Sequence, residues 1–219
     1  MKVTNGKGKQ AEVDITDLSP EQAAEKLRAM FGAPILFPTD LQMHRVCAKR
    51  AKKEPPTAMN GITFRRVDGD AVAYAMNGTI AMRVVLEGDA ELVPEAGAIL
   101  PAKAAKLISE AEQDTAALWF IDGGKARIAV DGELHEFRLI DALAFAGEDV
   151  FAGHETAKPA LRRLNGDATN LVKLQKAMGA EAIEVAQAER GAVFVVPLDK
   201  AGIQPVGKMV LFNSIEDGA

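Results

Sequence analysis

The chain has 219 residues, 48% of them apolar, and its 26 Lys and Arg are outnumbered by 31 Asp and Glu for a net charge of −5. That composition excludes wholesale disorder and supports one large core or two modest ones. The acidity excludes a surface coated for nucleic acid but permits one local basic face.

The single cysteine, Cys47, excludes an internal disulfide and a cysteine zinc cluster, and His44, His135 and His154 share no ligand spacing. No apolar run reaches the roughly 18 to 20 residues that span a bilayer. The opening "MKVTNGKGKQAEVDITD" has no signal-peptide core. The expected location is cytoplasmic, with no membrane partner.

In chain order, residues 1–34 read as a strand-helix extension. Its strand runs from Ala11 to Ile15. Its helix spans 19–32, with Ser19 as N-cap, Pro20 at the first helical position and Gly32 as terminator.

A repeat follows. "ILFPTDLQMHRVCA" from Ile35, "AILPAKAAKLISEA" from Ala98 and "LRRLNGDATNLVKLQKAMG" from Leu161 each read as a strand or lead-in running into a helix. Aligning Asp40, Lys103 and Asp167 gives offsets of 63 and 64 positions. Asp40 and Asp167 are expected N-caps.

Three strand-like runs come after each expected helix. They are 62–67, 71–76 and 81–86; then 116–121, 125–130 and 134–139; then 182–187, 192–197 and 208–213. Asp68-Gly69-Asp70, Asn77-Gly78, Asp122-Gly123-Gly124, Asp131-Gly132 and Arg190-Gly191 punctuate them as turns. The expected organisation is an extension (1–34), a two-unit domain (35–146), a linker (147–159, "GEDVFAGHETAKP") and a C-terminal half-unit (160–219). The fold class is α+β, with repeated strand-helix-strand-strand-strand units forming antiparallel sheets that carry their helices on one face.

Sorted at roughly 100° per residue, each expected helix is apolar on one side and basic on the other. The first has Met43, Val46 and Cys47 against Arg45, Lys49 and Lys52. The second has Ala104, Leu107, Ile108 and Ala111 against Lys103 and Lys106. The third has Leu171, Leu174 and Met178 against Lys173 and Lys176, with Arg162 and Arg163 upstream. In "RVCAKRAKK", residues 45–53, Arg45, Lys49, Arg50, Lys52 and Lys53 have no acidic residue among them. An ordinary solvated helix mixes signs because like charges at i,i+4 repel. Uncompensated repulsion is what a phosphate-facing surface requires.

Residues 35–145 resemble a domain of the DNA polymerase sliding clamps, the processivity rings, most nearly the bacterial β-subunit type. "AGAILPAKAAKLI" is similar to that family's crossover into its second helix, and "GAEAIEVAQAERGAVFVVPL…GKMVLFN" to the closing half of its last domain. Ala75-Met76-Asn77-Gly78 departs from the family's turn, and Met209-Val210 from its usual ending.

The resemblance implies a non-enzymatic protein whose helices touch duplex DNA without reading sequence, acting in DNA replication as a processivity factor. The DNA-facing residues would be Arg45, Lys49, Lys52, Lys53, Lys103, Lys106, Arg162, Arg163, Lys173 and Lys176. The implied partners are double-stranded DNA, a polymerase or other clamp-binding peptides, and further copies of the chain. Three half-units per chain would close a family-type ring as a tetramer. If the extension stands in for a fourth, the ring would be a trimer. Short length and an odd number of half-units suit a phage or mobile-element version.

Two other function classes compete. A clamp-like adaptor could bind a peptide without encircling DNA, with Trp119, Phe120, Phe145 and Phe151 as candidate pocket residues. An enzyme has little support. Ser, His and Asp occur in no catalytic spacing and the glycines sit at hairpin turns, not in a phosphate loop. Asp68 and Asp70 read as turn formers. Asp14 and Asp17 could hold a metal, but no cofactor is expected.

Overall fold

A computed structural model describes residues 2–4, 10–12, 20–51, 53–151, 158–159, 168–187, 193–198 and 208–211. The elements begin with β1 (Lys2–Thr4), β2 (Gln10–Glu12) and α1 (Pro20–Phe31). The first repeat unit holds β3 (Ile35–Pro38), a 3-10 turn (Met43–Arg45), β4 (Gly61–Val67), β5 (Asp70–Met76) and β6 (Ile80–Leu86). The second holds β7 (Ala98–Pro101), α2 (Ala102–Ser109), β8 (Thr115–Ile121), β9 (Lys125–Val130) and β10 (Glu133–Arg138). A short α3 (Glu148–Phe151) precedes the third, with β11 (Lys158–Pro159), α4 (Ala168–Ala177), β12 (Ala182–Gln187), β13 (Val193–Leu198) and β14 (Lys208–Leu211).

All pairings among the described residues are antiparallel. One sheet runs β10-β9-β8-β3 and another β11-β12-β13-β14-β6-β5-β4-β7. The first two units exchange their leading strands. β3 joins the second unit's β8, with Phe37 opposite Ala116, and β7 joins the first unit's β4, with Leu100 opposite Ile62. A pseudo-two-fold relation follows, and it explains the 63-residue offset. Leu36 donates to Glu87 O just past β6, and Ile140, just past β10, donates to Ile99 O. Leu36 and Ile99 are equivalent positions. The Asp-Gly turns close the hairpins as expected, with Asp68 and Gly69 at φ 52° and 90° and Asp131 and Gly132 at 48° and 75°. Positive φ at both central residues matches the twist of the flanking strands.

Period-2 patterning sends one side of each strand into a common core. Ile62, Phe64, Ala73, Met82 and Val84 of the first unit share it with Leu118, Phe120 and Ile128 of the second. Ala104, Ala105 and Ile108 of α2, Leu174 and Ala177 of α4, and Met178 just past it pack onto this same face. The 3-10 turn adds Met43, with Val46 beside it, so the expected one-sided placement of the repeat helices holds. The other face carries elements outside the repeat. There Val72, Tyr74, Ala81 and Phe151 cluster beneath α3, with Phe145 and Val150 against them.

The third unit is not a separate body in sheet terms. Its β14 extends the first unit's sheet, Val210 lying opposite Ala81. Its leading strand β11 pairs with its own β12 instead of being exchanged.

The helix expected to begin at Asp40 and run through Lys53 does not form. Among the described residues only the 3-10 turn Met43–Arg45 is helical, and those from Cys47 to the next 3-10 turn, Ala58–Asn60, form no helix. Tertiary packing is what stabilises a short helix. Apolar anchors stop at Val46 and Cys47, while beyond them Arg45 to Lys49 and Lys49 to Lys53 repel at i,i+4. Pro55 and Pro56 block extension from the other side. Asp40 lies in a turn and is not a helix N-cap. Asp167 and Ser19, the other expected caps, lie outside the described residues.

Candidate nucleic-acid interface

The stretch that opens with Arg45 is a basic loop with a closed neck. At the neck, Ala48 N–H donates to Met59 O at 2.7 Å. The Asn60 side chain bonds on both sides, with Nδ2 donating to Ala48 O at 3.1 Å and Oδ1 accepting from Thr57 N at 2.8 Å. Asn60 N–H in turn donates to Thr57 O. Beneath the neck, Met43, Val46 and Ile62 are fully buried, so the loop stands on the core. Between the neck strands, Lys49, Arg50 and Lys53 are exposed, with Glu54 the acidic residue beside them. Lys52 lies outside the described residues.

Arg45 is held at the loop's root, its Nε donating to Gln42 Oε1. Gln42 N–H donates to Ala177 O at the end of α4. The 3-10 turn therefore lies between two helices, touching both α2 and α4. On α2, Lys103 and Lys106 are exposed, and on α4, Lys173 and Lys176 are exposed, while both helices bury their other side. Seven of the expected DNA-facing residues thus sit exposed on the side of the sheets that carries the repeat helices. Arg162 and Arg163 lie outside the described residues.

The cations are not equally available. Lys106 Nζ is 3.3 Å from Glu110, an exposed i,i+4 pair worth only a few tenths of a kcal/mol. Lys103 Nζ lies 5.8 Å from the centroid of the Phe137 ring, over the edge strand β10. No ion pair occupies Arg45, Lys49, Arg50 or Lys53 among the described residues.

Sequence reasoning passed over two residues of this face as organisers. One is Asn60, whose only sequence signal is its position three after Thr57 in a capping-type pattern. The other is His44, whose Nδ1 lies 3.3 Å from Ser109 Oγ at the end of α2. Burial, and then the Arg45 charge, hold its imidazole below the ordinary histidine value of 6.5; Glu110 pulls the other way and Lys106 adds to the lowering.

A depressed histidine stabilises the fold fully above pH 6.5, where it is neutral in both states. That contribution is lost as pH falls through the folded value, because the unfolded chain binds the proton more readily. His44→Gln is therefore expected to reduce the loss of thermal midpoint between pH 7 and pH 5. Parallel losses in variant and wild type would contradict this.

The aromatic residues considered for a peptide pocket are packed away. Phe120 belongs to the shared core, Trp119 is fully buried, and Phe145 and Phe151 flank Tyr74 at ring distances of 6.0 and 6.1 Å. Cys47 packs against the core, where burial pushes its thiol up to about 12. Among the described residues no group of His, Cys, Asp or Glu could hold a metal, and Asp14 and Asp17 lie outside them. No described helix is long and apolar enough to cross a membrane.

No family model matches the chain, and no curated protein does. Solved structures do match. The DNA polymerase sliding clamp of Caulobacter crescentus aligns over 82% of this chain and 65% of its own, at 15% identity and a TM-score of 0.52. The sliding clamp of Pseudomonas aeruginosa aligns over 80% of this chain and 65% of its own, at 12% identity and a TM-score of 0.55. The polymerase β subunit of Streptococcus pyogenes aligns over 81% and 64%, at 10% identity and a TM-score of 0.54. The chain spans about two thirds of the length of these clamps. It has the sliding-clamp fold.

Proposed function

We propose that this chain, built on the sliding-clamp fold, is a clamp-like processivity factor for DNA replication whose helix-bearing face holds duplex DNA without reading its sequence. The observation that carries this reading is the gathering of unpaired cations around the 3-10 turn. Arg45 ends the turn that touches both α2 and α4, Lys49 and Lys53 stand exposed on the loop that follows it, and each of the two helices adds exposed lysines. In a chain of net charge −5, such a face attracts phosphate while the rest repels it. Lys52, Arg162 and Arg163 belong to the proposed face by sequence. The proposed partners are duplex DNA, a polymerase and further copies of the chain.

One observation favours a second reading, an arc-shaped adaptor that does not encircle DNA. The first unit's outer strand, β6, is already paired within the chain by β14. The two larger described sheets end in β10 and β3 and in β11 and β7. β3 and β7 are each met by a further segment, at Leu36 to Glu87 and at Ile140 to Ile99, which leaves β10, six residues long, and β11, two residues long. Sheet edges are normally covered or paired, and these two are poorly matched for joining copies. A trimer or tetramer in light scattering supports a ring, whereas a monomer supports the adaptor.

The DNA test uses a circular duplex onto which the protein has been loaded. Arg45, Lys49 and Lys53 are replaced by Glu in one variant, and Arg65 and Arg83 of the opposite sheet face in another. The first is expected to lose retention and the second to keep it. The reverse pattern would overturn the assignment of this face.

A further inference from the structure

We propose that Asn60 is the positioning residue of the DNA-binding face, its side-chain amide pinning the neck of the basic loop so that Lys49, Arg50 and Lys53 meet phosphates from a fixed base. The inference rests on the reading that this face contacts duplex DNA, and it replaces the expected rigid helix with a different device. A helix fixes its side chains through its own backbone ladder. This stretch has no such ladder beyond Arg45, so its cations owe their placement to whatever closes the loop.

The geometry at the neck is specific. One amide group is used at both ends, Nδ2 donating to Ala48 O on one side of the opening and Oδ1 accepting from Thr57 N–H and, at 3.2 Å, from the Thr57 hydroxyl on the other. Ala48 N–H to Met59 O adds a single backbone bond between the same two sides. Cys47 Sγ reaches Gly61 O at 3.4 Å, a weak contact. Below the neck the chain is anchored by buried Val46 and Ile62. Above it, Lys49, Arg50, Ala51, Lys53, Glu54 and Pro55 are all exposed, Glu54 N–H donates to Ala51 O at 3.2 Å, and the next residue, Pro56, is half-buried. Like charges repel within the loop, so with only the Ala48–Met59 backbone bond left across the neck the loop loosens and its cations disperse. Binding then has to re-order them at an entropic cost.

A lost pin has a signature different from a lost charge. The number of cations is unchanged, so the slope of log affinity against log salt is retained while the affinity itself falls. Removing a cation lowers the slope by about 0.9.

The experiment measures duplex affinity of the full chain over a salt series. It compares wild type with Asn60→Ala, Thr57→Ser and the pair Lys49→Gln with Lys53→Gln, and records each urea midpoint. Asn60→Ala is expected to weaken binding roughly three- to tenfold at fixed salt with the wild-type slope, the scale of one or two lost hydrogen bonds. Thr57→Ser keeps both the N–H and the hydroxyl that reach Asn60 Oδ1 and is expected to bind like wild type. The Lys pair is expected to lower the slope.

If the Lys pair lowers the slope but Asn60→Ala binds like wild type, the pin is refuted and the reading of the face stands. If the Lys pair leaves the slope unchanged, both fall. A merely structural Asn60 would lower the urea midpoint and leave affinity unchanged at temperatures well below unfolding, which also refutes the proposal.

Discussion

Phe64→Ala is expected to cost about 3–5 kcal/mol, enough to take a chain of ordinary marginal stability to the edge of unfolding at room temperature. Phe64 is fully buried at the join of the first two units. Its ring stands 5.0 Å from Phe120 in an edge-on arrangement and 6.1 Å from Phe37. Phe120 belongs to the second unit, and Phe37 lies on the strand that the first unit lends to the second unit's sheet. Removing the ring leaves a cavity bordered by both units, which cannot collapse without moving two sheets. The loss is therefore expected to be cooperative. Far-ultraviolet dichroism, which reports all strands, and emission from Trp119, which reports the second unit, should show one coincident urea transition at a lowered midpoint with unchanged slope. Two separated transitions would mean that the units fold independently.

Much of this architecture is legible in the sequence because its signals are local. Strands such as 125–130 and 182–187 fall where alternation and the flanking turns put them, and Gly32, at φ 87°, ends α1 as expected. What sequence could not supply was the fate of 40–53. Its apolar spacing at Met43, Val46 and Cys47 fits a helix for one turn, and the remaining outcome depends on what the next turns could bury. No partner exists for them, so charge repulsion decided the matter. The exchange of β3 and β7 between units, and the seam between β14 and β6, are long-range pairings that no short window contains. The candidate site was legible in composition and not in geometry. The cations stand out in the sequence as a run, but the uncharged residues that bond around them, Gln42 and Asn60, have no such signal.

Trp119→Ala is the other large expected loss, again about 3–5 kcal/mol, and it tests a different surface. Leu118 and Phe120, its neighbours on β8, point into the shared core, so alternation turns Trp119 to the opposite face. A side chain on the outer face of a sheet is ordinarily half exposed, yet Trp119 is fully buried. The chain just past α1 covers it, and the indole N–H donates to Gly32 O at 3.3 Å. Directly across on β9 lies Arg127, buried and 3.2 Å from Glu136 on β10, whose other partner is Lys125 at 2.6 Å. The Lys125 ammonium, and then Arg127, hold the Glu136 carboxyl below its usual range against the opposing effect of burial. That pairing stabilises the fold above the ordinary carboxylate value of 4.5 and is lost as pH falls through the folded value. Glu136 and Lys125 already meet solvent, so removing the indole admits water only to the buried Arg127, and Trp119→Ala should weaken the Arg127 part of the acid limb of the stability curve. Trp119→Phe keeps most of the apolar area and loses only the donor to Gly32, an expected cost near 1 kcal/mol. A Trp119→Ala midpoint within about 1 kcal/mol of wild type would show that the Gly32 segment lies on the sheet without sealing it. The outer face of the second unit would then be open surface, available to whatever the helix-bearing face does not bind.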